Sequence, residues 1–421
     1  MLRFLQWLIR QERMLRLLGP AFGRFNPFLP AHRNDPHATW RALRDEAPVY
    51  RSRVFGGWIC TRYDDVLRIL RDPNFTTDRS ETVLMRTVMR LARRDPDFAG
   101  MLGRNLLTLD GAEHRRLRKL VAKAFTPRRI EGMRPQLEAT VQDLLDRAGE
   151  NGEMEVVAEL AYPLPVIAIA GLLGVPAEDH GRFRGWAGRL VQLLDLFQGR
   201  GGARPMIEAT HEIFDYFRAL LAERRARPGD DLLSAMIAAE EDGERLSEID
   251  LLALSSLLLV AGHETTSNLI ASSVLLLLRF PDERKRLQDD PGLLPSAVDE
   301  FLRYEPPIQF TDRAVVAACE IGGRRIRAGQ LVVAGLAAAN RDPDRFPEPD
   351  RLDVGRAENR HLSFGQGNHF CLGSQLAKLE TELAIGALLR RFPDFSGSPD
   401  PPGWRRSMIV RGPESLPVKL A

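Results

Sequence analysis

Apolar residues recur at three- and four-residue spacings through most of the chain, the mark of helices that bury one face. The spacing predicts helices over residues 37–46, 63–71, 112–124, 129–148, 156–173, 178–194, 206–225, 247–278, 281–287, 294–303 and 372–391. Strand-like runs are short: 49–55 continuing to 58–61, then 315–321, 325–326 and 331–335. Gly322-Gly323, between two of these runs, predicts a tight hairpin. Strand signals cluster near the start and in the last third, and helices fill the rest. The fold class is α+β and mostly α, a helix-rich part with a small β-rich part. No repeat or low-complexity linker breaks the pattern, so a single domain over 36–421 is expected behind an N-terminal arm, 1–35.

The longest apolar run, 251–278, holds no Asp, Lys or Arg, yet its centre reads His263-Glu264-Thr265-Thr266-Ser267-Asn268. An acidic residue at a bilayer centre costs roughly 2.5–3.5 kcal/mol. A long buried helix with a polar centre is expected, and no transmembrane segment. The arm intersperses Arg3, Arg10, Arg13 and Arg16 among apolar residues, an amphipathic pattern without a signal-peptide core. Lys+Arg 59 against Asp+Glu 57 gives +2, which is no polyanion-binding excess, so nucleic acid is not an expected partner. Cys60, Cys319 and Cys371 form no C-x-x-C pair. That disfavours a disulfide framework and suits a reducing, cytoplasmic setting.

Two polar constellations stand out. The first is Phe364-Gly365-Gln366-Gly367-Asn368-His369-Phe370-Cys371-Leu372-Gly373, just before an amphipathic helix. A cysteine there feels the positive end of the helix dipole, which favours the thiolate. One thiolate without a second thiol suits a single axial bond to an iron; the bland alternative is an inert buried cysteine. The second is Ala261-Gly262-His263-Glu264-Thr265-Thr266. Gly262 lets a flat ligand approach the backbone. Threonine hydroxyls compete for carbonyls one turn back. Glu264 beside Thr265 offers a proton donor and a hydroxyl relay; the alternative is a set of polar residues tolerated in a buried helix.

The cysteine loop resembles the haem-binding loop of the cytochrome P-450 superfamily, the haem-thiolate monooxygenases, with Gly365, Gly367, His369, Cys371 and Gly373 at the constrained positions after Phe364. Residues 261–265 are similar to the family's A-G-x-E/D-T motif, and Glu300-Phe301-Leu302-Arg303 to its E-x-x-R motif. The resemblance implies a cytochrome P-450 fold around a buried haem b. Cys371 would be the axial iron ligand, with Phe364, Gly373 and Ala261 beside the cofactor. His114, Arg118, Arg313 and His369 would hold the haem carboxylates, where the alternative is a solvated basic face. Thr265 would hydrogen-bond O2, and Glu264 would support proton delivery. Glu300, Arg303 and Arg351 would form a structural triad behind the loop.

The implied reaction places one oxygen atom of O2 into a C–H or C=C bond of a lipophilic substrate, by hydroxylation or epoxidation. The Glu264–Thr265 pair weighs against the alternatives, a haem-thiolate peroxygenase or isomerase or a non-catalytic haem sensor. About 50 residues follow Cys371, and no G-x-G-x-x-G follows a strand. Electrons are therefore expected from a ferredoxin or flavodoxin and its NAD(P)H-dependent reductase. The acid-free run 114–129, with Arg115, Arg116 and Lys119, is the expected docking face. By the same resemblance Met85, Met89, Leu102, Leu194, Val260, Ile308 and Met408 line the substrate pocket. Arg86, Arg90 and Arg104 are candidates to hold a substrate carboxylate, or else surface arginines.

Overall fold

A computed structural model describes residues 23–79, 92, 94–190, 204–241, 243–398 and 403–421. The longest predicted helix is seen as Glu248–Arg279, and the helix after the cysteine loop as Ser374–Arg391. Three helix predictions are corrected. The run 129–148 is two helices, Pro127–Gly132 and Arg134–Gly149, parted at Met133. The run 156–173 is not one α-helix: a π-helical turn, Val157–Ala161, precedes Pro163–Leu172, because Pro163 and Pro165 have no N–H to continue the ladder. The run 178–194 begins as a 3-10 turn, Ala177–Asp179, and continues as His180–Leu190; its remainder lies outside the described residues. Short helices at Pro30–Asn34, Pro96–Gly103, Leu232–Ala238 and Leu336–Ala339 escaped the periodicity.

Five short strands make the main sheet, in the order Val49–Arg51, Trp58–Cys60, Leu331–Ala334, Thr311–Val315, Phe75–Thr76. Leu331–Ala334 runs parallel to Trp58–Cys60 and antiparallel to Thr311–Val315. The predicted run 315–321 is broken: after Val315 the chain leaves the sheet through exposed Val316, and Cys319–Ile321 pairs instead with Arg324–Ile326. Gly322 and Gly323 make that turn with φ of 51° and 71°, the left-handed pair that a two-residue hairpin requires.

The chain divides into two compact units, one of Met1–Phe75, Arg134–Pro165 and Thr265–Ala421, the other of Thr76–Met133 and Val166–Glu264. In the first, a core of Cys60, Val66, Ile69, Val332, Phe346 and Leu362 fills the space between sheet and helices. Ser374–Arg391 packs against Arg134–Gly149 and Leu294–Tyr304. The second unit is helical; Phe183, Trp186, Tyr216 and Phe217 stack at centroid distances of 5.1–5.9 Å to join His180–Leu190 to Arg204–Ala226. The division falls inside the long helix, between Glu264 and Thr265. No described helix is long and apolar enough to cross a membrane.

Candidate functional site

The cysteine loop is shaped by its glycines. Gly365 and Gly367 have φ of 69° and 71°, open to glycine at little cost. A Cβ on Gly367 would lie 2.8 Å from the Leu70 carbonyl oxygen, so glycine is also required by close approach. A 3-10 turn, Gly367–His369, follows. The loop then closes on itself: the Cys371 N–H donates to the Phe364 carbonyl at 2.9 Å. Cys371 is half-buried three residues before Ser374–Arg391, whose N-terminus has no side-chain cap. His369, Phe364 and Gly373 are also half-buried, and Phe370 is exposed.

The loop is tied at its root to a buried ion pair. Glu300 and Arg303 are both fully buried and joined in a fork, with Nε to Oε2 at 2.7 Å and Nη2 to Oε1 at 2.8 Å. Arg303 also donates to the carbonyls of Asn340, Pro349 and Arg351. Asn340 continues the chain of bonds: its Oδ1 accepts the Leu362 N–H at 2.7 Å, and its Nδ2 donates to the Ser363 hydroxyl at 2.8 Å. That hydroxyl donates to the Leu302 carbonyl at 2.6 Å. The expected triad needs one correction. Arg351 contributes its carbonyl only, while its exposed side chain pairs with Glu348. The second guanidinium on Glu300 belongs to Arg356, at 3.2 Å, because the chain passes Glu300 again at 353–359.

Arg313 is buried in the strand Thr311–Val315, donating to Thr311 Oγ1 and the Asp312 carbonyl. Ile308 is partly buried beside the main core, and Met408 beside the aromatic cluster of Phe25, Trp40 and Phe310. Along the long helix, Leu257, Leu258, Ala261, Gly262 and Thr265 form a half-open stripe, while Val260, His263, Glu264 and Thr266 are buried. A Cβ on Gly262 would meet nothing closer than Ile169 at 3.8 Å. Packing alone therefore does not demand glycine there, and a flat face is left along the stripe.

In the second unit, Asp110 caps Gly111–Ala124 and also accepts from Thr76 Oγ1 at 2.7 Å. One turn on, His114 is buried, with Arg118 half-buried at i+4. Burial pushes the His114 imidazole below its usual value, as do Arg118 and Arg115, against the opposing Asp110. Such a pair favours an anionic partner. Leu102 is half-buried against Phe98 and Met206. Arg104 is not available to a substrate: it is bonded to Asp250 and Glu113. Arg116 is likewise engaged by Glu113 and Asp250, which removes it from the docking face. Met85, Met89, Leu194, Arg86 and Arg90 lie outside the described residues.

A family model described as Cytochrome P450 matches residues 188–291 and 292–419. The chain belongs to the cytochrome P450 family. A Saccharopolyspora erythraea protein named cytochrome P450 107B1 is 44% identical over 402 residues, 93% of this chain and 96% of that one. The 6-deoxyerythronolide B hydroxylase of the same organism is 40% identical over 92% of this chain and 96% of its own. The solved structure of the Bacillus subtilis polyketide-synthase cytochrome P450 PksS superposes with a TM-score of 0.86 at 36% identity, covering 94% of this chain and all of that one. The protein is a haem-dependent monooxygenase acting on a lipophilic organic substrate with electrons from redox partners. The family carries haem iron held by a cysteine thiolate and uses O2.

The residues present fit that cofactor. Among the described residues no cluster of three His, Cys, Asp or Glu could hold a bare metal ion. A single loop thiol suits an iron whose equatorial donors arrive with the porphyrin. Burial pushes the thiols of Cys60 and Cys319 up, which keeps them as thiols.

Proposed function

We propose that Cys371 is the axial ligand of haem b, with Phe364, Gly373 and Ala261 beside the ring and His114, Arg118, Arg313 and His369 on its carboxylates. The observation that carries this reading is the anchoring of Cys371. Its N–H is held by Phe364, and the loop root is bonded through Ser363 and Asn340 to the buried Glu300–Arg303 pair. When bound, haem supplies the activation of O2 and the transfer of one oxygen atom. Thr265 Oγ1, on the open stripe of the helix, both accepts and donates, so it can pass on a proton received from a Glu264 carboxyl oxygen through water. Leu102, Val260, Ile308 and Met408, with Met85, Met89 and Leu194, line the substrate pocket. Cys60, Cys319 and Cys371 form no disulfide, which suits a cytoplasmic setting.

Electrons come from a ferredoxin or flavodoxin and its NAD(P)H-dependent reductase. Exposed Arg115, Lys119 and Lys123 on Gly111–Ala124 form the basic face that steers the acidic carrier. The central test is Cys371→Ser. The reduced, CO-bound protein should lose the strongly red-shifted Soret band; an unchanged spectrum would overturn the assignment.

A further inference from the structure

His361 is a buried imidazole, its side chain 7% exposed, ten residues before Cys371. Its Nδ1 accepts the Ser363 N–H at 3.2 Å. An amide can only donate, so Nδ1 carries no proton and the ring N–H is on Nε2. Nε2 lies 3.2 Å from Asp299 Oδ1. The same oxygen receives the Lys378 ammonium at 2.5 Å. Burial would push Asp299 up, but His361 and Lys378 hold its carboxyl below the ordinary value. Asp299 is on Leu294–Tyr304, and Lys378 is on Ser374–Arg391. The imidazole thus joins the loop root to Leu294–Tyr304, and Asp299 in turn ties that helix to Ser374–Arg391.

From His361 the route to the cysteine is short. Its ring rests against the Phe364 ring, with centroids 5.8 Å apart at 53°. Its Nδ1 fixes the backbone of Ser363, the residue before Phe364. Phe364 supplies the carbonyl that accepts the Cys371 N–H. The Ser363 hydroxyl bonds Leu302 and Asn340, and the Gly365 N–H, in the same peptide as the Phe364 carbonyl, donates to the Leu362 carbonyl at 2.9 Å; the peptide that His361 holds, 362–363, thus opens the turn whose far peptide carries the Phe364 carbonyl.

We propose that His361 is a positioning residue for Cys371: its Nδ1 acceptor, more than its Nε2 donor, fixes the Phe364 carbonyl and with it the Cys371 amide and sulfur. The proposal rests on Cys371 being the iron ligand. An amide that shifts near the sulfur changes the hydrogen bonding that tunes a metal-bound thiolate.

Two conservative variants separate the bonds. His361→Asn keeps an acceptor where Nδ1 stood and drops the reach to Asp299; His361→Gln does the reverse. Two readouts apply: hydrogen exchange of the Cys371 amide in the apoprotein, and the reduced, CO-bound Soret band with the reduction potential in the holoenzyme. His361→Gln should speed exchange of the Cys371 amide by about tenfold or more and shift both holoenzyme signals. His361→Asn should leave all three near wild type. Ser363→Ala, which keeps the N–H to Nδ1 bond, should exchange within about threefold of wild type. Equal damage from both histidine variants, including a shared failure to fold, would make His361 a plain brace and overturn the proposal. So would wild-type behaviour of His361→Gln, or Ser363→Ala matching it. If instead the wild-type holoenzyme lacks the red-shifted band, the ligand assignment fails while the apoprotein exchange still reads the positioning.

Discussion

Each unit has an arginine–carboxylate network, and the two use the same groups under opposite conditions of burial. In the first, Glu300 and Arg303 have no exposed side-chain surface, and each of the five guanidinium N–H donors has an acceptor: two on Glu300, one each on Asn340, Pro349 and Arg351. Glu300 is as fully used, by Asp353 N–H, Arg356 and Asn359 besides. In the second, Arg104 bridges Asp250 and Glu113 while 28% exposed, and Glu113 is 39% exposed. Asp250 is the buried member, and it keeps Ser247 N–H and Oγ as donors if an arginine leaves. A buried ion pair is tolerable only when nearly every donor and acceptor is satisfied, and then it is unforgiving. A half-exposed one lets water substitute.

Arg303→Leu is the strongest challenge to that contrast. It leaves Glu300 charged and buried, and should cost about 3–5 kcal/mol in a denaturant titration of the apoprotein. A loss below about 1 kcal/mol would mean that the pair is not buried as described. Acid probes a third network, also buried but built on histidines. Arg411 bonds Glu305 at 2.6 Å, and His37 lies 3.3 Å from Glu305. Burial alone would raise the Glu305 carboxyl, but Arg411 and His37 hold it well below the ordinary range. Burial pushes His32 down to about 3, with Arg411 and His37 adding to it, and pushes His37 down against the pull of Glu305. The folded imidazoles resist protonation and the unfolded ones accept it near pH 6.5, so their stability is complete above 6.5 and is lost as pH falls. The expected slope is up to about 1.4 kcal/mol per pH unit for each histidine. Urea midpoints at pH 7.5 and 5.5 check it, and His32→Gln should flatten the slope. Arg104→Met comes next, at about 1–2 kcal/mol, shrinking in high salt. A cost equal to that of Arg303→Leu would erase the distinction between the networks.

Much of this was legible in the sequence, for identifiable reasons. The long helix has an uninterrupted apolar pattern, and its ends are seen within a residue of those predicted. The cysteine loop is legible because glycine and cysteine spacing is a local constraint. What escaped is what only the assembled fold decides. The strands Glu153–Glu155, Ser396–Gly397 and Pro417–Lys419 pair with one another in two or three residues each, too few for a period of two to register. Arg104 and Arg116 share two acids: Glu113, close by in sequence at nine and three residues, and Asp250, more than 130 residues away, which only the assembled fold brings to them. Asn340, Ser363 and His361 carry no motif that sets them apart; their roles come from two helices and a loop meeting.

The smallest expected effect concerns the third arginine of the buried network. Five arginines fall between 341 and 360, and no spacing rule chooses among them. The Arg351 side chain is 58% exposed and pairs with Glu348, itself 73% exposed. What it gives the network is a main-chain carbonyl, which alanine also has. Arg351→Ala should therefore change stability by less than about 0.5 kcal/mol. Arg356 has an 11% exposed side chain with Nε on both Glu300 oxygens, so Arg356→Ala should cost several times more. Parallel titrations of the two variants decide the matter. Were Arg351→Ala the more damaging, its side chain would be the member that the sequence resemblance implies, and Arg356 a surface neighbour.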